Sequence, residues 1–279
     1  MEITSSGDRI AAGEAYLTDT LVLQSHTGTQ PDLFLRWNEI PHAAVSVDVI
    51  VFLHGFSRQG RAMPLAEKVA SSGLDLSRRK RPTLAVLPRG NWLRYTWYDF
   101  PALLEGGMDR LVEYGLQRFA EAAGRGPLAV DRLVLAGHSG GGMPAVDVIA
   151  GGWRPNEFYV FDGLYGRDPS LGDPMRGLET IEEWLSERFA QEPECAGALR
   201  VVYIEQQTGR FSRAVGELVS RRLAEVEPTL AEMLRRRYRV EVSLVQHSQI
   251  AGRCMPELIA APDAEFDWSR GPEVQGRRS

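Results

Sequence analysis

A serine set among glycines, in the stretch Gly137-His138-Ser139-Gly140-Gly141, is the part of this sequence best suited to chemistry. It follows the apolar run Leu133-Val-Leu-Ala136 and precedes a segment with helical character that extends to about Ala150. A sharp turn from a strand into a helix exposes a serine hydroxyl, and the free N–H groups at the helix start can bind a developing oxyanion. The pattern therefore predicts that Ser139 is a nucleophile.

A serine nucleophile needs a base within hydrogen-bond distance, usually a histidine. His247 follows both Ser139 and the last predicted strand, which is the order expected of such a base. We therefore predict that His247 takes the proton of Ser139. The remaining histidines of the chain are His26, His42, His54 and His138.

Two carboxylates are candidates for the acid that orients the histidine. Asp162 follows the predicted strand Phe158–Phe161, beside the serine strand, and Glu205 follows the predicted strand Leu199–Ile204. Either strand end could reach His247. We favour Asp162 because the glycine after it permits a tight turn, and Glu205 stays as the alternative acid.

The segment His54-Gly55-Phe56 ends another apolar run and predicts the second half of an oxyanion hole. The backbone N–H groups of Phe56 and Gly140 would then converge on the oxygen of a tetrahedral intermediate. Phosphate binding is a poorer account of these glycines, because the sequence has neither Gly-x-Gly-x-x-Gly nor a Gly-Lys-Ser/Thr ending.

Strands and helices alternate through most of the chain, which predicts an α/β fold with a mostly parallel, doubly wound sheet and a ligand site at the carboxyl ends of its strands. The first two strands are expected to form an antiparallel pair at one edge. The predicted strands cover residues 16–23, 33–37, 47–53, 83–88, 133–136, 158–161, 199–204 and 240–245. The predicted helices cover residues 63–72, 108–123, 181–189, 215–226 and 228–237, together with the segment that ends near residue 150.

Residues 91–100 are the most aromatic part of the chain and are predicted to form a loop that walls an apolar substrate pocket. Arg94 and Arg167 indicate an alternative kind of substrate, because a guanidinium could bind a substrate carboxylate. Such a site would suit an amidase or peptidase that acts on an acidic or polymeric chain. The side chains expected to contact substrate are His54, His138, Trp92, Tyr95, Trp97, Tyr98 and Tyr165.

These segments together resemble the α/β-hydrolase superfamily, over about residues 47–262. The resemblance implies an eight-stranded, mostly parallel sheet, a Ser–acid–His triad and a small cap insertion at about residues 164–198. Thr96-Trp-Tyr-Asp-Phe100 is similar to the Trp-Phe-Asp segment of the phospholipase/carboxylesterase branch. Most such hydrolases carry the acid where Glu205 lies, but this sequence lacks the Gly-x-x-Asp of that branch. An acid at Asp162 would resemble the arrangement of pancreatic lipase, in which the acid follows the sixth strand.

The expected activity is therefore that of a serine hydrolase that cleaves a carboxylic ester or thioester through an acyl-enzyme on Ser139, without cofactor or metal. An amidase or peptidase acting on an acidic or polymeric substrate is one alternative. A ligand receptor that kept the fold and lost turnover is another, although it would not need both Ser139 and His247.

Composition limits the classes of partner and the cellular locations that this sequence favours. The formal net charge of −5 gives no electrostatic footprint for nucleic acid, and no apolar run has the length of a membrane span. The start lacks a secretory pattern, so the sequence favours a cytoplasmic protein. The two cysteines, Cys195 and Cys254, are enough for one disulfide bridge, and the sequence does not decide whether it forms. We expect one domain over residues 1–279, with a disordered tail from about residue 264. The expected partner is a small-molecule or acyl/peptidyl substrate, and the chain could form a homodimer.

Overall fold

The computed structural model describes residues 9–56, 62–92, 98–166, 175–192 and 195–268. The strands are β1 (Arg9–Ile10), β2 (Gly13–Leu17), β3 (Leu33–Trp37), β4 (Ile40–Pro41), β5 (Ser46–Leu53), β6 (Thr83–Pro88), β7 (Asn91–Trp92), β8 (Tyr98–Asp99), β9 (Ala129–His138), β10 (Glu157–Phe161), β11 (Ala198–Tyr203) and β12 (Tyr238–Val242). The α-helices are α1 (Leu65–Ser72), α2 (Gly107–Ala122), α3 (Gly142–Ala150), α4 (Arg176–Phe189), α5 (Glu205–Ala224), α6 (Pro228–Arg237) and α7 (Ile250–Ala260).

The central sheet has eight strands in the order β2-β3-β6-β5-β9-β10-β11-β12. Strand β3 runs antiparallel to both β2 and β6, and the pairs from β6 to β12 are parallel. The predicted α/β-hydrolase fold and its antiparallel edge are therefore confirmed by the sheet itself.

Helices cover both faces of the sheet. Strands β5, β6, β10 and β11 are buried almost throughout, as expected for parallel strands packed on both sides. Apolar side chains of α1 and α7 form the core on one face, and those of α2 to α6 form the core on the other. Burial of two apolar faces explains why these strands are nearly continuous apolar runs.

The register of the parallel strands brings their carboxyl ends together. Leu53 in β5 pairs with Gly137 in β9, and His138 pairs with Phe161 in β10. Phe161 in turn pairs with Val202 in β11. The residues that follow these strands therefore meet at one edge of the sheet.

Some local predictions differ from the structure. The first long strand covers Gly13–Leu17, and Leu21–Leu23, predicted as its end, form a 3-10 turn. The turn forms because the buried Asp32 carboxylate accepts hydrogen bonds from the N–H and the hydroxyl of Thr20.

The aromatic segment, predicted as a loop, contains a short hairpin of β7 and β8. Helix α7 was not predicted.

The predicted cap insertion differs from the structure at α4. Trp184 is fully buried, contacts the Phe158 ring edge-on at 6.1 Å between ring centroids, and donates its indole N–H to the carbonyl oxygen of Pro155. Helix α4 therefore packs on the sheet, where its apolar stripe joins the core, and is a layer of the domain and not a cap. Residues 167–174 of the predicted insertion lie outside the described part of the chain.

The predicted disordered tail was wrong for residues 264–268. The Arg200 guanidinium, which is fully buried, donates to the carbonyl oxygens of Pro262 and Ala264 and lies 4.9 Å from the centre of the Phe266 ring. A buried cation on β11 thus holds a polar segment that has no periodicity of its own. Residues 269–279 lie outside the described residues.

The cysteines Cys195 and Cys254 are both free thiols, the first exposed and the second buried. Among the described residues, no helix combines the length and the apolar character needed to cross a membrane.

The position of Trp184 can be tested by its contribution to stability. Truncation of a buried tryptophan in a packed core lowers the free energy of unfolding by about 3–5 kcal/mol, so Trp184→Ala should do so in urea denaturation. Glu183→Ala, at an exposed position of the same helix, should change it by less than about 0.5 kcal/mol. Similar unfolding free energies for the two variants would contradict the packing of α4 on the sheet.

Candidate active site

Ser139 lies at the sharp turn between β9 and α3. The residue is buried and has a φ of 53°, a left-handed conformation that is uncommon outside glycine. Close backbone contacts impose this turn: a Cβ atom on Gly141 would lie 2.2 Å from the carbonyl oxygen of Leu53, and one on Gly137 would lie 2.7 Å from that of Gly141. The glycines around the serine are therefore required by packing.

The side chains of Ser139, His247 and Asp162 form a continuous hydrogen-bonded chain. The Oγ atom of Ser139 is 2.8 Å from Nε2 of His247, and Nδ1 of His247 is 2.6 Å from Oδ2 of Asp162. Because the carboxylate can only accept, Nδ1 carries the proton, and Nε2 accepts from the serine hydroxyl. This geometry is that of a nucleophile, a base and an orienting acid.

Asp162 is fully buried and sits in a second left-handed turn, with a φ of 45°. Its Oδ1 atom accepts hydrogen bonds from the N–H of Ile204 at 3.0 Å and from the hydroxyl of Thr208 at 2.6 Å. Burial raises the pKa of the carboxyl group, but the hydrogen bonds from His247, Thr208 and Ile204 outweigh this effect and leave the pKa below its ordinary value. Asp162 is therefore an ionised, fixed acceptor.

The alternative acid, Glu205, lies elsewhere in the structure. It is the first residue of α5, is exposed, and forms an ion pair with Arg213 on the same helix. The structure thus brings Asp162 and not Glu205 against His247. The helix that Glu205 begins supplies Thr208, a partner of Asp162 that the sequence did not reveal.

His138, predicted to contact substrate, is hydrogen-bonded to the loop that carries His247. Its Nε2 donates a hydrogen bond to the carbonyl oxygen of His247 at 2.9 Å, and the two rings are 5.0 Å apart between centroids. Burial and the neighbouring His247 lower the pKa of His138 to about 4. A neutral, half-buried imidazole therefore positions the predicted base.

His54, also predicted to contact substrate, is buried and links two strand ends. Its Nδ1 donates to the carbonyl oxygen of Gly55 at 2.9 Å, and its Nε2 accepts from the N–H of Gly90 at 3.0 Å. Burial, together with the charge of Lys68, lowers the pKa of His54 to about 3. Its observed contacts are those of a structural crosslink between β5 and the residues after β6.

The predicted oxyanion residues lie against the serine turn. A Cβ atom on Gly55 would lie 2.5 Å from Cβ of Ser139, and one on Gly140 would lie 2.3 Å from the ring of Phe56. The two backbone segments therefore approach each other as an oxyanion hole requires, and the roles of the Phe56 and Gly140 amides stay predictions. Lys68, which the sequence analysis missed, donates to the carbonyl oxygens of Gly55 and Phe56.

Two aromatic rings border Ser139. The hydroxyl of Tyr165 is 3.4 Å from Oγ of Ser139, and the ring of Tyr165 stacks on that of Phe56 at 6.4 Å between centroids. Tyr165 keeps 41% of its surface exposed, so this face is open to a ligand.

The aromatic segment lies partly beside the same turn. Strand β8, which includes Tyr98, runs next to Ser139–Gly141, whereas the half-buried Trp92 packs against the core on the α2 face. Four further predicted substrate residues lie outside the part of the chain that the structure describes: Tyr95, Trp97, Arg94 and Arg167. The side chain of Tyr98 is likewise outside the described part.

No group of three or more histidine, cysteine, aspartate or glutamate side chains within the described ranges is arranged to hold a metal ion. The charged and polar groups around Ser139 are instead engaged with one another, as the hydrogen bonds above show.

Comparison with solved structures gives distant likenesses. A protein called TT1662 from Thermus thermophilus is 15% identical, over 91% of this chain and 99% of that one, with a TM-score of 0.47. XC6422 from Xanthomonas campestris, described as an a/b serine hydrolase without lid, is 13% identical over 90% and 93%, with a TM-score of 0.41. A ferulic acid esterase is 12% identical over 92% and 98%, with a TM-score of 0.45.

No protein-family model matches the sequence, and no curated protein matches it at a significant level. The structural likenesses are too distant to assign an activity. The sheet order and the serine turn define an α/β-hydrolase-fold protein, and the chemistry of its site depends on its own side chains.

The low pKa values of the His54 and His138 imidazoles predict a loss of stability in acid. The unfolded chain takes up protons on histidine near its ordinary pKa of about 6.5, whereas folded His54 and His138 do so only at about 3 and about 4. The free energy of unfolding should therefore fall between about pH 7 and pH 5, by about 3–4 kcal/mol from these two groups. Urea denaturation at both pH values measures the fall.

His138→Gln, which keeps a donor for the His247 carbonyl, should make this fall smaller without abolishing it. Imidazole ¹⁵N spectra give the direct check, because His54 should stay neutral at about pH 5. An imidazole of His54 that gains its proton near pH 6.5 would contradict the burial described here.

Proposed function

We propose that this protein is a serine hydrolase that cleaves a carboxylic ester or thioester through an acyl-enzyme on Ser139. The observation that carries the proposal is the chain from Ser139 Oγ through His247 to the buried Asp162, with contacts of 2.8 Å and 2.6 Å. A receptor would have no need to hold a strained serine against an oriented imidazole. The left-handed backbone at both Ser139 and Asp162 further supports a site held in place for chemistry.

The proposed reaction proceeds in two halves. Ser139 Oγ attacks the carbonyl carbon while His247 Nε2 takes the hydroxyl proton, and the imidazolium is stabilised by the Asp162 carboxylate. The carbonyl electron pair moves to oxygen, where the amides of Phe56 and Gly140 bind the negative charge. When the pair returns, the C–O or C–S bond breaks and His247 gives its proton to the leaving group.

Water then completes the cycle. His247 removes a proton from a water molecule that attacks the acyl-enzyme, and the second tetrahedral intermediate collapses with return of the proton to Ser139. Asp162 stays ionised throughout, consistent with the hydrogen bonds that lower its pKa. No further group is required for the balance of atoms and electrons.

The rings beside Ser139 support an apolar or aromatic acyl group. Phe56 and Tyr165 present a stacked pair next to the nucleophile, and apolar surface buried on binding contributes about 25 cal/mol per Å². An ester or thioester of such an acid fits this wall. The ferulic acid esterase noted above acts, by its name, on an ester of an aromatic acid, but the proposal rests on the two rings.

Covalent labelling tests the nucleophile. A fluorophosphonate should label Ser139 and abolish activity, because attack by Oγ on phosphorus leaves a stable adduct. Mass spectrometry of the intact chain and its peptides locates the adduct, and Ser139→Ala should remain unlabelled. Folded protein that does not react would contradict the hydrolase proposal, and faster turnover of aminoacyl anilides than of p-nitrophenyl esters would overturn the ester assignment.

The acid is tested by a pair of isosteric variants. Asp162→Asn should lower kcat by about 10³–10⁴-fold, since a neutral amide neither fixes the tautomer of His247 nor stabilises its imidazolium. Glu205→Gln, at an exposed helix start that contacts Arg213, should change kcat by less than about threefold. Steady-state hydrolysis of one p-nitrophenyl ester compares them, and a larger loss in the Glu205 variant would reverse the assignment.

A further inference from the structure

Lys68 is a buried cation that the reaction steps above do not use. It lies on α1, is 5% exposed, and donates from Nζ to the carbonyl oxygen of Gly55 at 2.8 Å and to that of Phe56. Burying an ammonium group is expensive unless it is well bonded. Here both observed acceptors belong to the same two residues of the predicted oxyanion segment.

The carbonyl oxygen of Gly55 is held from two sides. It accepts from Lys68 and also from Nδ1 of His54 at 2.9 Å. His54 in turn accepts from the N–H of Gly90, so the peptide after Gly55 is tied to α1, β5 and the end of β6. The orientation of this peptide is therefore determined by the surrounding structure.

Peptide geometry links that orientation to the site. In a trans peptide the carbonyl oxygen and the N–H point in opposite directions, so holding the oxygen of Gly55 also fixes the direction of the Phe56 N–H. Gly55 packs on the side chain of Ser139 and the Phe56 ring packs on Gly140. These contacts bring residue 56 to the serine turn, where we expect its amide to meet the carbonyl oxygen of a substrate bound to Ser139.

The charge of Lys68 adds to its geometric effect. An ammonium bound to a carbonyl oxygen polarises the peptide and makes the N–H of that peptide a stronger donor. A positive charge in a site with little water also stabilises a nearby oxyanion more than it would in solution. Both effects act on the transition state and leave the neutral ground state largely unchanged.

We propose that Lys68 is a positioning residue for the oxyanion hole, which it supports by binding the carbonyl oxygens of Gly55 and Phe56 and directing the Phe56 N–H towards the developing oxyanion. This inference rests on the proposed serine-hydrolase function. It assigns a catalytic consequence to a side chain outside the Ser139, His247 and Asp162 set.

The charge state of Lys68 should then govern activity in base. Burial lowers the pKa of its ammonium to about 8, so the charged form is lost as the pH rises through that value. Glu67 on the same helix opposes the shift, and the charge of Lys68 in turn lowers the pKa values of the neutral imidazoles of His54 and His138 at the strand ends. Two elements that pack against α1 carry charged groups, β3 with Arg36 and α7 with Arg253 and Glu257. Arg36 forms an ion pair with Glu14, Glu257 forms one with Arg78, and Arg253 donates to the backbone carbonyl oxygen of Asp267.

The main experiment replaces the Lys68 cation and measures two effects. The value of kcat and the binding of a transition-state analogue report on the oxyanion, and KM reports on binding of the neutral substrate. Lys68→Met should lower kcat for a p-nitrophenyl ester by about 10–100-fold with KM nearly unchanged, less than the full loss of an oxyanion donor. Binding of an alkyl trifluoromethyl ketone, whose adduct with Ser139 carries an oxyanion, should weaken by a similar factor. Lys68→Arg, which keeps the charge, should recover part of kcat.

The chain offers a matched control, because it contains only two lysines. Lys80→Met, at an exposed site, should leave kcat and ketone binding unchanged. Lysine-specific ¹⁵N labelling gives two side-chain signals, and the Lys68 signal should titrate near the pH at which kcat/KM of the unsubstituted protein declines in base. This measurement decides the question even if Lys68→Met fails to fold.

The outcomes separate this inference from the function on which it rests. Normal fluorophosphonate labelling together with unchanged kcat and ketone binding in folded Lys68→Met overturns the role of Lys68 alone. The role of Lys68 is also overturned if kcat/KM falls at a basic pH that differs from the pH at which the Lys68 signal titrates. Failure of the unsubstituted protein to label at Ser139 removes both the hydrolase proposal and this inference.

Discussion

The in-register ends of β5, β9, β10 and β11 are the constraint on which the candidate site depends. Pairing of Leu53 with Gly137, of His138 with Phe161 and of Phe161 with Val202 places the following residues side by side. Backbones then approach so closely that Gly55, Gly141 and Gly163 have no room for a side chain. A shift of one residue in any of these pairs would turn neighbouring side chains to the other face of the sheet and separate Ser139 from Asp162.

The site is also held by buried polar groups that satisfy one another. Asp162 receives hydrogen bonds from His247 and, at the start of α5, from the backbone of Ile204 and the side chain of Thr208, so its partners come from two separate parts of the chain. His138 binds the backbone of His247 from the serine strand itself. Because an unpaired buried polar group destabilises a fold by about 1–3 kcal/mol, each contact both fixes the site and stabilises the domain.

Strain at two positions is balanced by this network. Ser139 and Asp162 adopt left-handed backbone conformations, which cost about 1–3 kcal/mol each for residues with side chains. They persist because neighbouring backbones and hydrogen bonds leave no alternative geometry. The predicted nucleophile and acid are thus preorganised, so that little rearrangement is needed when charge develops during a reaction.

The sequence was enough to predict the alternation of strands and helices, the serine turn and the choice of His247, because apolar periodicity, glycine placement and chain order are local properties. It left two acids open, assigned His54 and His138 to substrate contact, and did not reveal Lys68 or Thr208. Those matters depended on which strand ends are neighbours and on which buried atoms lack water, and both are set by contacts between distant parts of the chain. Only the tertiary structure therefore placed Asp162 beside His247, put α4 in the core and anchored residues 264–268 on Arg200.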